Sequence, residues 1–390
     1  MRLPGLPVSL AEYPSECVTN ARFRGHSLDA LDRIFLPRTL EGLLPGPPER
    51  VREFIEDDNR GAILPEPVAS LDGMPFYLSV KGIGSTVDPF SDGPLDRHLA
   101  AQLTEDPSVR RHLLGAPTGG IDRFITGELW LRGSPYGGQG LDHARAALRI
   151  SERADLTDLA GFRIAPVVKV AILPAALQEQ LRGIHWYRGY RGAFVQELRL
   201  VPSNVRIYFH SRTTVGENAR ELFDRFHVDS AAAARRFEVR FVRSAVAMLT
   251  LFARSLERGP GEGGYRGLDF HDVWLDKDAV IAPDGTAYFV DLEGIEAVEV
   301  EGTRVAERIE DQIYRSLYEF MFAYEQIDRE RGRRFGDPAG RRERFESIVV
   351  DALHDDPFAR PVIEGRSVGM EVRNPLGEES LYTRFPLVDR

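Results

Sequence analysis

The run LDFHDVWLDKDAVIAPDGTAYFVDLEGIE, residues 268–296, decides how this chain is read. AVIAP at 279–283 and TAYFV at 286–290 are short β-prone runs separated by Asp284-Gly285, a pair suited to a two-residue hairpin turn. In that register Val280 faces Phe289, Ile281 faces Tyr288 and Asp278 faces Asp291. Like charges directly opposed on neighbouring strands destabilise the pair and raise one pKa unless a cation lies between them. Magnesium takes one or two protein carboxylates and completes its octahedron with water and phosphate oxygens, so Asp278 and Asp291 are the candidate metal ligands. The competing reading is two solvated aspartates flanking a turn.

Long helices are expected on either side. Phe237, Phe241, Ala245, Met248, Phe252 and Leu256 recur at helical spacing, Asp229 or Ser230 can cap the start, and Gly259-Pro260 ends the segment. Ile309, Ile313, Leu317, Phe320, Tyr324 and Ile327 repeat the pattern downstream. Both stripes read as core. The arginine-rich stretch 331–345 reads as a solvated loop and helix start. Residues 201–390 therefore form a mostly helical lobe around the segment 268–296.

The first half has a different texture. Residues 1–48 are rich in Pro and Gly and read as an arm over the body. From 49 to 200 the pattern is a small mixed lobe. Asp72-Gly73 marks a turn, and the β-prone run after it leads into Lys81. RIAPVVKVAIL and GAFVQELRLVP are expected to be two strands of one sheet, and LDHARAALRISERADLTDLAG a helix ended by Gly161. Residues 94–134 read as an insertion. The fold class is thus α+β and two-lobed.

Composition narrows the chemistry. A formal charge of -10 argues against a broad surface for nucleic-acid backbones, and no apolar run approaches the length that spans a bilayer. Cys17 is the only cysteine, so intramolecular disulfides and cysteine-based zinc clusters are excluded, and a cytoplasmic setting is expected. Of 50 basic residues only Lys81, Lys169 and Lys277 are lysine. Where arginine serves almost everywhere, each lysine either marks a place that needs a compact ammonium or is a chance survivor. The glycine runs KGIGST at 81–86 and GGQG at 137–140 could bring backbone N–H groups to phosphates, or simply be turns.

The order His271, Asp278, hairpin, Asp291-Leu292-Glu293-Gly294 resembles the catalytic segment of kinase-like folds, where a His-led loop, a metal-binding Asn, a hairpin and a D-F-G-like triplet follow one another. Within that superfamily the details are most similar to the selenoprotein O family of protein adenylyltransferases. KGIGST resembles its K-G-x-G-x-T, GQGLDHARAALRISE at 138–152 its glycine motif and helix Glu, and HDVWLDKD at 271–278 its H-G-V-M-N-T-D-N. The resemblance implies ATP and Mg2+ as cofactors and a small N-lobe beside a helical C-lobe. It implies Lys81 on the nucleotide phosphates with Glu152 as its helix partner. Gly82, Gly84, Gly138, Gly140 and Arg145 would line the phosphates, and Glu197 and Leu198 would form the adenine-contacting hinge. Asp278 stands where the family has Asn, and Val273 where ordinary kinases place the catalytic Asp. Asp272, Asp276 or the acceptor's surroundings would then assist the proton, with His271 bracing the loop. The implied activity is transfer of an adenylyl or phosphoryl group from ATP to a protein, peptide or small-molecule hydroxyl. A pseudokinase that binds nucleotide without transfer is the alternative.

Overall fold

The computed structural model describes residues 7–9, 17–23, 33–35, 55–58, 61–71, 73–82, 139–153, 159, 161–183, 192–203, 205, 223–270, 278–336, 341–365, 367–376 and 380–385. The chain is mixed α+β and divides into two compact units, residues 1–152 with 166–201, and residues 153–165 with 202–390.

In the first unit β1 (Pro7–Ser9), β2 (Cys17–Thr19), β3 (Arg33–Phe35), β4 (Ile55–Asp58), β5 (Gly61–Leu71) and β6 (Met74–Lys81) precede helix α1 (Leu141–Ser151). Strand β7 (Val167–Ile172), helix α2 (Ala175–Gly183) and strand β8 (Val195–Val201) follow. Six strands form one antiparallel sheet in the order β2-β7-β8-β6-β5-β4, while β1 pairs with β3. The β5–β6 hairpin closes as Leu71 pairs with Met74, and Gly73 takes the left-handed φ of 77° that the expected turn demands. Alternation then puts Phe76, Leu78 and Val80 on one buried face of β6 and Tyr77, Ser79 and Lys81 on the other.

Two expectations are corrected here. Part of the arm is structural: β2 is the edge strand beside β7, and Asn20 donates from Nδ2 to the Val167 carbonyl at 2.8 Å. The helix after the second glycine run stops at Ser151, ten residues before Gly161. Its termination is local, because Ser151 Oγ turns back to the Ala147 carbonyl and accepts the Val167 N–H at 2.8 Å, tying helix end to strand.

The second unit begins with α3 (Ala231–Leu249), capped by Ser230, whose Oγ accepts the Ala233 N–H, and continues after Thr250 as the short α4 (Leu251–Arg254). Strands β9 (Glu257–Arg258), β10 (Gly264–Phe270), β11 (Ala279–Ile281), β12 (Ala287–Phe289) and β13 (Ile295–Glu301) lead to α5 (Val305–Phe335) and α6 (Arg341–Leu353). Strands β14 (Ala359–Glu364), β15 (Ser367–Arg373) and β16 (Ser380–Phe385) close the unit. It is therefore less helical than its sequence suggests: β13-β10-β9 and β14-β15-β16 are antiparallel three-stranded sheets, and β11 pairs with β12.

The two expected apolar stripes meet in this unit's core. Phe241 stacks on Phe320 with centroids 6.2 Å apart, and Phe345 from α6 packs edge-on against Tyr324 at 5.0 Å. Each fully buried ring contributes about 1.5–3 kcal/mol relative to exposure. The stretch 331–345 is not a solvated loop throughout: α5 runs on to Phe335, and Arg344 is buried with both Nε and Nη2 donating to Asp328 at 2.9 Å.

Segment 162–165 belongs with this unit because its backbone extends the β11–β12 hairpin. Phe289 donates to the Arg163 carbonyl and accepts from the Ala165 N–H, each at 2.9 Å. The hairpin rests on α3, where Ser244 Oγ accepts the Ala287 N–H at 2.8 Å.

Candidate functional site

The hairpin register differs from the expected one by a residue. Ala279 pairs with Phe289, Val280 with Tyr288 and Ile281 with Ala287, so the connection is the five residues Ala282–Thr286. Asp284 does not sit at the centre of a two-residue turn. Its Oδ1 accepts the Thr286 N–H at 2.9 Å, and Ala282 donates to the Thr286 carbonyl at 2.8 Å. Gly285 follows at φ 96°, pressed so closely on Phe237 of α3 that a Cβ would overlap the Phe237 carbonyl. Docking on α3 thus selects the longer connection.

The residue opposite Asp278 is therefore Val290, whose N–H donates to the Asp278 carbonyl at 2.8 Å, and the expected face-to-face aspartate pair is corrected. Asp278 is buried, and Asp291 is half-buried at the start of the 3-10 turn Leu292–Gly294. Both present hard oxygen donors of the kind magnesium accepts, within the one or two carboxylates it takes. Among the described residues no group of three or more His, Cys, Asp or Glu is placed to hold a metal ion. His271, Asp272 and Asp276 lie outside the described residues.

The turn that carries Asp291 leads into β13, and β13 pairs with β10, the strand that leads to His271. Phe270 and Ile295 are direct partners in that ladder, and the Phe270 ring lies 4.7 Å from that of Phe289. The last residue before His271 and the first after the Asp291 turn thus stand side by side.

A cluster missed at the sequence level secures this ladder end. The Asp269 carboxylate is fully buried and takes ion pairs from Arg308 and Arg315. Arg315 Nη2 donates to its oxygens at 2.9 and 2.7 Å, and Gln312 Nε2 donates at 2.6 Å. Arg308, Gln312 and Arg315 recur at i, i+4 and i+7 on α5, one polar face beside its apolar stripe. That spacing was the available signal, but nothing local says which carboxylate the face meets.

In the first unit Lys81 ends β6 and is 7% exposed; Glu197 of β8, fully buried, is its register partner. Glu197 accepts from Gln139 Nε2 at 2.9 Å and pairs with Arg199 on its own strand. The carboxylate facing Lys81 across the sheet is thus strand-borne. Glu152, expected as the helix partner, is the C-cap residue of α1, where its Oε1 accepts the Ala21 N–H at 2.8 Å. Glu197 and Leu198 are also corrected as a hinge. They lie inside β8, paired with Lys81 and Val80 on one side and with Val170 and Lys169 on the other, so their backbones serve the ladders.

Gly82 has φ 94°, and a Cβ there would overlap the Val195 carbonyl, so glycine is required by sheet packing. Gly140 bridges to Phe194 and precedes α1, and Arg145 lies half-buried on that helix. Gly84 and Gly138 lie outside the described residues. No helix among the described residues is long and apolar enough to cross a membrane. No protein-family model and no curated protein matches this chain.

Proposed function

We propose that the chain is a kinase-like, ATP- and Mg2+-dependent transferase that moves an adenylyl or phosphoryl group onto a hydroxyl acceptor. The observation that carries this reading is the pairing of Phe270 with Ile295, which brings the entry to His271 and the exit from the Asp291 turn to one end of one ladder. A phosphoryl- or adenylyl-transfer site consists mainly of positioning and charge stabilisation, so acidic and basic groups delivered by rigid strands are its main requirement.

The first unit supports the reading through the order of its described elements: a hairpin whose second strand ends in a buried lysine, helix α1, then strands β7 and β8 with α2 between them, the lysine strand lying inside the sheet. Lys81 would hold phosphate oxygens as a point charge. Asp278 and Asp291 would hold the metal, which when bound neutralises the phosphate charge. Asp272 or Asp276 would take the acceptor proton, since Val273 cannot. The acceptor is a protein, peptide or small-molecule hydroxyl, and the likeness of HDVWLDKD to the selenoprotein O segment favours adenylyl over phosphoryl transfer.

Val273 also favours a second reading, nucleotide binding without transfer. The deciding experiment incubates the chain with Mg2+ and ATP labelled at the α or γ position, with Asp291→Ala as control. Label retained from the α phosphate supports adenylyl transfer, and from γ alone phosphoryl transfer. No label, together with a Mg·ATP thermal shift, supports the second reading. Neither label nor shift rejects both.

A further inference from the structure

The grip of α5 on β10 is more specific than packing requires. Arg315 is divided among three acceptors: Nη2 serves the Asp269 carboxylate, Nη1 donates to the Phe270 carbonyl at 2.8 Å, and Nε lies 3.2 Å from the exposed Asp311 carboxylate one turn back on α5. That carbonyl belongs to the peptide unit joining Phe270 to His271, so one planar guanidinium fixes both the side chain before the segment and the orientation of the link into it. Asp269 Oδ1 also accepts the Phe270 N–H at 2.7 Å, so the two faces of Phe270 are held through a single charge cluster. Gln312 couples the cluster to the helical core, accepting the Phe252 N–H at 2.7 Å while donating to Asp269.

We propose that Arg315 is a positioning residue for the transfer reaction: through Asp269 and the Phe270 carbonyl it sets the ladder end from which the His271 segment and the Asp291 turn both emerge. This rests on the transferase reading above. A buried carboxylate held by two arginines and an amide costs desolvation that an apolar brace would avoid, whereas an apolar brace could not orient the Phe270 carbonyl. A lysine at 315 has one nitrogen where arginine presents two, so it cannot reproduce the fork that serves the carboxylate and the carbonyl from separate nitrogens. Because Arg315 is about one-third exposed, small cations in solution can reach its place.

The test uses the full chain and Arg315→Ala, with Arg304→Ala, which removes an exposed Arg304–Glu307 pair on the approach to the same helix, as control. Arg315→Ala is expected to lower label transfer roughly 10- to 100-fold while the KM for Mg·ATP stays within about twofold. Millimolar guanidinium, but not sodium chloride at equal strength, is expected to restore turnover. Amide exchange is expected to rise at Phe270 and Ile295 but not at Gly264–Gly267. Full turnover in Arg315→Ala, unchanged exchange at Phe270, or a loss that guanidinium does not restore would overturn the positioning role. If Arg315→Ala does not fold, Arg315→Lys takes its place, with the same turnover and exchange criteria. A wild-type chain that transfers no label instead rejects the transferase reading, and the exchange comparison still decides whether Arg315 holds the ladder end.

Discussion

Arg331 Nε stands 3.0 Å from Oε1 of Glu238, a fully buried carboxylate on α3 that faces α5. Burial outweighs the attraction of Arg331, and the repulsion of Asp328 adds to it, so the Glu238 carboxyl is pushed from 4.5 up to about 7; Arg235 and Arg344 also draw it down. The folded state then binds a proton that the unfolded chain releases above its ordinary carboxylate pKa. The contribution of this group is most favourable below about pH 4.5 and is lost as pH rises through 7. Between pH 5 and 8 the wild-type chain is expected to lose on the order of 2–3 kcal/mol through it. Glu238→Gln removes that slope, whatever constant offset it adds; urea unfolding across the pH range checks this, and a slope equal to wild type rejects the assignment.

Arg254 and Asp356 form an ion pair at 2.7 Å that is almost wholly out of water, with Asp356 also accepting the Phe358 and Ala359 N–H groups. Burial holds the Arg254 pKa below its ordinary value, only partly offset by Asp356. Removing one member leaves a buried charge unpaired. Asp356→Ala is expected to cost about 3–5 kcal/mol, and adding Arg254→Met to recover a large part of that loss. Denaturant midpoints of the single and double variants measure the recovery, and strictly additive losses would argue against the pair.

Gly285 and Gly336 share a positive φ, but only Gly285 is crowded. Alanine at 336 meets open space and carries backbone strain alone, about 1–3 kcal/mol for its φ of 72° and ψ of 170°. Alanine at 285 must also displace the Phe237 backbone, so its cost should exceed that of Gly336→Ala by about 1–3 kcal/mol, the scale of overpacked cores. Thermal unfolding of the two variants side by side tests the α3 docking that sets the hairpin register.

Glu197→Gln and Glu152→Gln separate the carboxylate that faces Lys81 across the sheet from the one expected beside it on the helix. Glu197 is fully buried against Arg199 and Gln139, so its neutralisation is expected to cost about 3–5 kcal/mol. Glu152→Gln keeps an oxygen that can accept the Ala21 N–H and loses only the charge on a solvated hydrogen bond, so its cost is expected to stay below about 0.5–1.5 kcal/mol. Equal losses would mean that the strand-borne carboxylate is not the one on which the sheet depends.

Much of the fold was legible because its signals are local. The stripe from Phe237 to Leu256 and that from Ile309 to Ile327 are buried as expected and declare helices through 3.6-residue periodicity, although the first helix ends at Arg254, before Leu256 and Gly259-Pro260. Asp72-Gly73 announced the turn before β6, and alternation carried Lys81 to the end of that strand. Glycines, caps and periodicity act over a few residues, and a single chain displays them openly.

What the sequence alone determined, then, is part of the set of elements and their apolar faces: two core helices, a hairpin between Asp278 and Asp291, and a lysine delivered by a β-strand. Tertiary structure decided the register of that hairpin, because Gly285 and Ala287 are held by Phe237 and Ser244, more than 40 residues away. It also decided that Asp269 meets Arg315 and that Lys81 faces Glu197. A strand's side-chain pattern repeats every two residues, so a slip by one exchanges its faces, and only long-range contacts select between the alternatives.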